Sequence, residues 1–134
     1  MTPALKLKDA GSIGQLELSP ARRQDYFTAT LLLANLDARV DVYAYAPFGG
    51  LEILLGEVAS AWAGWEGTKY WASIEDDLQL TFKHDSVGHV SVGIALRSLN
   101  PRWKVETQIV LEPGALADLG QEAQRFFATI KRDV

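Results

Sequence analysis

Residues 78–96, LQLTFKHDSVGHVSVGIAL, carry the reading that decides the fold. Leu78, Leu80 and Phe82 alternate with polar neighbours, and the run from His89 to Leu96 alternates in the same way, which is the period-two pattern of half-buried strands. The intervening HDSVG has the composition of a hairpin turn, with the acceptor side chain of Asp85 at its first position and Gly88 at its last. A third alternating run, Trp103–Leu111, follows, so three antiparallel strands are expected in succession. Pro113-Gly114 then opens a stretch in which Leu116, Leu119, Ala123, Phe126, Phe127 and Ile130 share one side of a helix.

Upstream, the period changes in the same direction. Leu51, Leu54, Leu55, Val58, Ala59 and Trp62 line one face of a helix that should end near Gly64. Before it, Leu5 and Leu7 read as one short strand, and Ile13, Leu16 and Leu18 as a second beyond the turn Asp9-Ala-Gly-Ser. Tyr26–Ala34 and Arg39–Tyr45 form a hairpin through Asn35-Leu-Asp37. Strands and helices in separate runs predict an α+β domain: an antiparallel sheet of about seven strands with two helices packed on one face. At an offset of 64 residues, Gln15-Leu-Glu-Leu18 aligns with Gln79-Leu-Thr-Phe82, and Leu55-Gly56 with Leu119-Gly120. These short matches suggest a weak two-fold internal repeat.

The 134 residues suit a single domain spanning 1–134, able to bury a core without staples. A 48% hydrophobic and 22% charged composition is ordinary for a soluble globular chain, and no apolar run has the length a membrane span needs. The N-terminal MTPALKLKDAGS lacks the continuous apolar core of a secretory signal, and cysteine is absent, so a cytoplasmic, reducing address is the simplest expectation. A net charge of −4 argues against a non-specific grip on nucleic acid and for a basic protein partner.

Three stretches invite a chemical reading. The first is WAGWEGTKYW, residues 62–71, with three of the four tryptophans. It is a helix-to-strand connection in which Trp62 and Trp71 are expected to cap the core, while Trp65, between Gly64 and Gly67, either packs as a lid or stands out as a contact anchor. The second is Lys83–Val90, which holds both histidines. Its spacing favours a structural turn in which His84 and His89 sit at facing strand ends and His89 donates a bond that fixes the turn, over a metal site. The third is acidic: Glu66, Glu75, Asp76 and Asp77, with Glu52 and Glu57, would concentrate negative charge near the first helix and its exit. No Gly-x-Ser-x-Gly elbow, phosphate loop or His-Glu-x-x-His accompanies them, so no catalytic residue, metal or cofactor is expected.

The order of Leu51-Glu52, Trp62, Gly64-Trp65-x-Gly67, Trp71-x-Ser73-x-Glu75, Leu78-x-Leu80, Asp85-x-x-Gly-His-Val90, a strand from Trp103 and a helix ending Phe126-Phe127 resembles small bacterial proteins of unknown function. It also looks like the WapI-type immunity proteins, which neutralise a toxin delivered by neighbouring cells. The resemblance implies a non-catalytic binder for a toxin and gives Trp62, Gly64, Gly67, Trp71, Asp85, Gly88 and His89 a structural role. Partner contact would then fall to Trp65, Glu66, Tyr70, Asp76 and Asp77, with the carboxylates steering a basic toxin and an aromatic ring anchoring it. Two other readings stand beside this one. One is a small-molecule-binding protein or enzyme with a pocket near Asp85 and His89, and the other is a scaffold whose sheet edge pairs into a homodimer.

Overall fold

The computed structural model of the protein describes residues 4–23, 25–43, 50–61, 63–85 and 87–132. Four strands come first: β1 (Leu5–Lys8), β2 (Gln15–Pro20), β3 (Tyr26–Leu33) and β4 (Leu36–Tyr43), followed by helix α1 (Leu51–Ser60). The second half repeats that order with β5 (Thr68–Ala72), β6 (Leu78–His84), β7 (Val90–Leu99), β8 (Arg102–Leu111) and α2 (Ala115–Arg132). Each set of strands forms its own antiparallel meander, β1-β2-β3-β4 and β5-β6-β7-β8. The expected single sheet of about seven strands is therefore corrected to two sheets of four.

Two local reasons account for the difference. Thr68–Ala72 is a strand in its own right, with Trp71 buried and Tyr70 exposed, where the glycines on its N-terminal side suggest only a connection. The sheets also meet without a shared ladder. Ala10 N–H donates to the Val110 carbonyl at 2.8 Å, but Val110 N–H donates to Oδ1 of Asp9 at 2.7 Å. A side-chain oxygen stands where a continuous ladder would need a backbone carbonyl.

The 64-residue offset extends from sequence to hydrogen bonding. Asp9 N–H donates to the Gly14 carbonyl at 2.9 Å, and 64 residues later Ser73 N–H donates to the Leu78 carbonyl at the same distance. Each bond closes the first hairpin of its half, and each half ends in a helix.

Alternation settles which sheet faces turn inward. Leu16 and Leu18 on β2 register with Leu31 and Ala29 on β3, and Leu80 and Phe82 on β6 register with Ile94 and Val92 on β7; all eight are buried. Both helices add to the same cluster, α1 through Leu51, Leu54, Leu55 and Val58, and α2 through the six apolar residues read from the sequence. Each fully buried Leu or Phe contributes about 1.5–3 kcal/mol to keeping these layers together. Phe126 of α2 meets Phe27 of β3 edge-on, with centroids 6.1 Å apart, so the last helix is packed on the first half of the chain. No helix among the described residues is long and apolar enough to cross a membrane.

Helix α1 starts after Gly50, which takes the left-handed φ of 87° at the N-cap, and stops at Ser60, four residues before the expected Gly64. Trp62, expected on its apolar face and as a core cap, lies outside the described residues, as do residues 44 and 45 of the first-half hairpin.

Candidate functional site

One end of the second sheet gathers most of the residues that the sequence singles out. Strand β6 delivers His84 there, the β6–β7 turn delivers Asp85, Gly88 and His89, and the connection from α1 to β5 delivers Gly64, Trp65 and Glu66. Between them lies an open depression of about 430 Å³, lined by Ala63, Gly64, Trp65, Glu66, His84 and Asp85.

The turn is built around one carboxylate. Oδ1 of Asp85 accepts the backbone N–H groups of Val87 and His89, each at 2.9 Å, and Asp85 N–H donates to the His89 carbonyl at 3.0 Å. Gly88 supplies the left-handed φ of 94° that lets the chain reverse. The ring of His89 stands with Nδ1 3.6 Å from Asp85 and Nε2 3.7 Å from Glu112, at the foot of α2. Incomplete solvation pushes the Asp85 pKa up, but the two N–H donors and the nearby His89 and His84 rings outweigh it, so the carboxyl sits below its ordinary range. The expected hairpin is present, with one change: His84 registers with Val90, and His89 faces Asp85 rather than His84. The bond that fixes the turn is given by the backbone of His89, not by its ring.

Trp65 and His84 form the other half of the site. The indole meets the imidazole edge-on with centroids 5.3 Å apart, and Lys69 Nζ stands 5.5 Å from the indole centroid. Gly64 is required here for two reasons. Its φ is +108°, and a Cβ would come within 2.8 Å of His84 Nδ1. Gly67, on the other side of Trp65, has φ +77° with open space around it. Nε1 of Trp65 and Nε2 of His84 are both buried, and neither has a hydrogen-bond partner among the described residues. Trp65 is partly buried and packs against the core, and Trp71 is a core residue at 6% exposure.

The acidic residues do not form one surface. Glu57 pairs with Lys69 at 3.6 Å, Glu66 precedes β5, and Glu75, Asp76 and Asp77 occupy the turn after it. The five residues of β5 put about 15 Å between the two groups. Tyr70 lies midway, 60% exposed, on the outer face of the sheet. Arg97 organises the far turn: its backbone N–H donates to the Asp77 carbonyl at 2.9 Å and its Nη2 to the Glu75 carbonyl at 2.8 Å. The five residues expected to touch a partner thus divide into Trp65 with Glu66 at one end and Tyr70 with Asp76 and Asp77 towards the other.

His84 is the contributor that sequence reasoning undervalues. Its signal was the glycine 20 residues upstream, because Gly64 has no side chain at the point where the imidazole approaches, and no local pattern links the two positions. Around the remaining histidine, no three His, Asp or Glu side chains among the described residues come together as a metal site would require.

These features define a two-repeat α+β protein with a polar and aromatic depression at one end of its second sheet. The chain belongs to DUF6228, a family of unknown function, whose profile matches residues 10–129. No curated protein matches it.

Proposed function

We propose that the protein is a non-catalytic protein-binding module, and that it acts as an immunity protein of the WapI type by covering a basic toxin. The observation that carries this reading is the depression itself. An indole and an imidazole wall it and Glu66 lines it, which suits an anchoring segment of the partner seated against the rings while its basic neighbours meet the surrounding carboxylates. Tyr70 and the Glu75–Asp77 turn, towards the other end of β5, would add charge that steers encounter more than it holds the complex. The small-molecule reading has less to work with. Its two polar groups are engaged in the turn, Asp85 by two N–H donors and His89 by flanking carboxylates.

The test is capture of a stoichiometric basic protein by the tagged chain from dense mixed culture, repeated with Glu66→Lys combined with Asp76→Lys. The reading expects a one-to-one complex whose association slows at least tenfold in the charge-reversed chain and which protects cells from that protein. Capture that is indifferent to both reversals, or a captured protein without toxicity, would sink it.

A further inference from the structure

We infer that Trp65 and His84 are a recognition pair for a neutral group that offers an acceptor beside a donor, a peptide or carboxamide of the bound partner. This rests on the protein-binding reading and names what its depression takes. Buried polar atoms in folded proteins are nearly all hydrogen-bonded, and an orphan destabilises the fold that holds it. Here two orphan nitrogens sit in one ring pair: an indole Nε1–H, which can only donate, and an imidazole Nε2, which accepts when the proton is on Nδ1.

One amide satisfies both, its carbonyl accepting from Trp65 and its N–H donating to His84. A carboxylate would serve Trp65 but leave Nε2 facing a second acceptor, and an ammonium would serve His84 alone. Neither nitrogen reaches solvent, so the group enters as the indole shifts. The adjoining depression gives the indole room.

The apolar isostere separates recognition from structure. Removing an orphan nitrogen without changing ring packing is neutral or stabilising, whereas a histidine that holds the connection in place would be missed. His84→Phe is therefore expected to keep or raise the melting temperature while abolishing the ligand response. The probe is acetamide up to 0.1 M or thereabouts, with acetate and methylammonium as charged controls, read from the Trp65 indole N–H and the His84 ring in NMR spectra of the full chain. Acetamide should move both signals and the controls should not, and the response should vanish in His84→Phe.

A response to acetate or methylammonium alone would overturn the assignment in favour of a charged ligand. No response at Trp65, or a loss of stability in His84→Phe, would return the pair to packing. A toxin partner that binds His84→Phe as tightly as the parent chain overturns the pair and leaves the protein-binding reading standing; failure of all capture removes that reading while the acetamide result is still read independently.

Discussion

The two halves of the chain share a plan and part company at the same turn. Residues 64 apart do equivalent jobs in the first hairpin of each half, where Asp9 and Ser73 close the turn with matching hydrogen bonds. At the next turn Pro20, Ala21 and Asp25 stand where the second half has His84, Asp85 and His89. Both turns still reverse the chain, with Asp25 at φ 67° in one and Gly88 at φ 94° in the other. The fold therefore does not need two imidazoles or the Asp85 carboxylate to make a four-strand meander. What the second half carries beyond its counterpart is what the proposed recognition rests on, and the first half serves as its internal control.

The comparison breaks most severely if the halves are independent units. Phe126 is fully buried in α2 and touches Phe27 of the first sheet, so Phe126→Ala should cost about 3–5 kcal/mol and unfold both halves in one transition. Denaturant unfolding followed by tryptophan fluorescence, which reports the second half, and by amide exchange in β2 and β3 should give coincident midpoints. Separate midpoints would mean two cores.

The seam between the sheets comes next. Asp9 takes the Val110 N–H at 2.7 Å and the Ser12 hydroxyl at 2.6 Å, and these bonds hold its carboxyl below the ordinary range of 3.8, the Ser12 hydroxyl most strongly. Asp9→Ala should cost about 1–2 kcal/mol, because it leaves a backbone N–H of β8 without its acceptor. The sign with pH follows from the lowered pKa. The stabilisation is present above the unfolded value and is lost as pH falls through the folded one, so parent and variant should converge in acid. A gap in melting temperature that persists unchanged below pH 3 or so would place the effect elsewhere than in the charge.

Much of this architecture was legible in residues 78–96 and in the two apolar helix faces, because period two and period 3.6 are local properties of the chain. The α2 face was read to the residue. Strand β5 was not, since five residues between two glycines and an acidic turn give too short a window for alternation to stand out. The division into two sheets was also hidden, because it turns on where the Asp9 carboxylate goes, a contact between positions 101 residues apart. In the candidate site, the Asp85 turn was visible from Asp and Gly at fixed spacing. The contact of Gly64 and Trp65 with His84 was not, because it depends on how β5 and β6 register, and the split of the acidic residues depends on β5 being a strand at all.

A finer difference concerns the glycines that the repeat places in equivalent helix positions. Gly56 faces open space, while a Cβ on Gly120 would come to 3.0 Å from that of Ala59, where α1 and α2 are in close contact. Gly56→Ala should stabilise by about 0.5–1 kcal/mol through helix propensity. Gly120→Ala should lose that gain to the few tenths of an ångström by which the helices must separate, and end up to about 1 kcal/mol less stable than the parent. Equal stabilisation at both positions, measured by thermal melts, would show that the helix contact is looser than 3.0 Å implies and that the repeat is more symmetric.

The smallest expected effect lies at a pair with inverted polarity. Ile13 of the first half is 74% exposed, and its counterpart 64 residues later is Asp77, a partly buried acid. Burial pushes the Asp77 pKa up, Glu75 adds to the rise, and Arg97 opposes it, leaving the carboxyl above 3.8. A raised carboxyl pKa means that the folded state binds the proton more readily than the unfolded chain, so the charge costs stability at neutral pH. That cost fades as pH falls through the folded pKa towards the unfolded value, the opposite direction to Asp9. Asp77→Asn keeps the side-chain shape, and the bond from Arg97 N–H goes to the backbone carbonyl, which the change does not touch. It should gain no more than about 0.5 kcal/mol at pH 7, discounted for solvent screening, and nothing near pH 3. If Asp77→Asn instead weakens the protein at neutral pH, the carboxylate is serving Arg97 rather than enduring its burial, and the polarity inversion between the halves is a stabilising one.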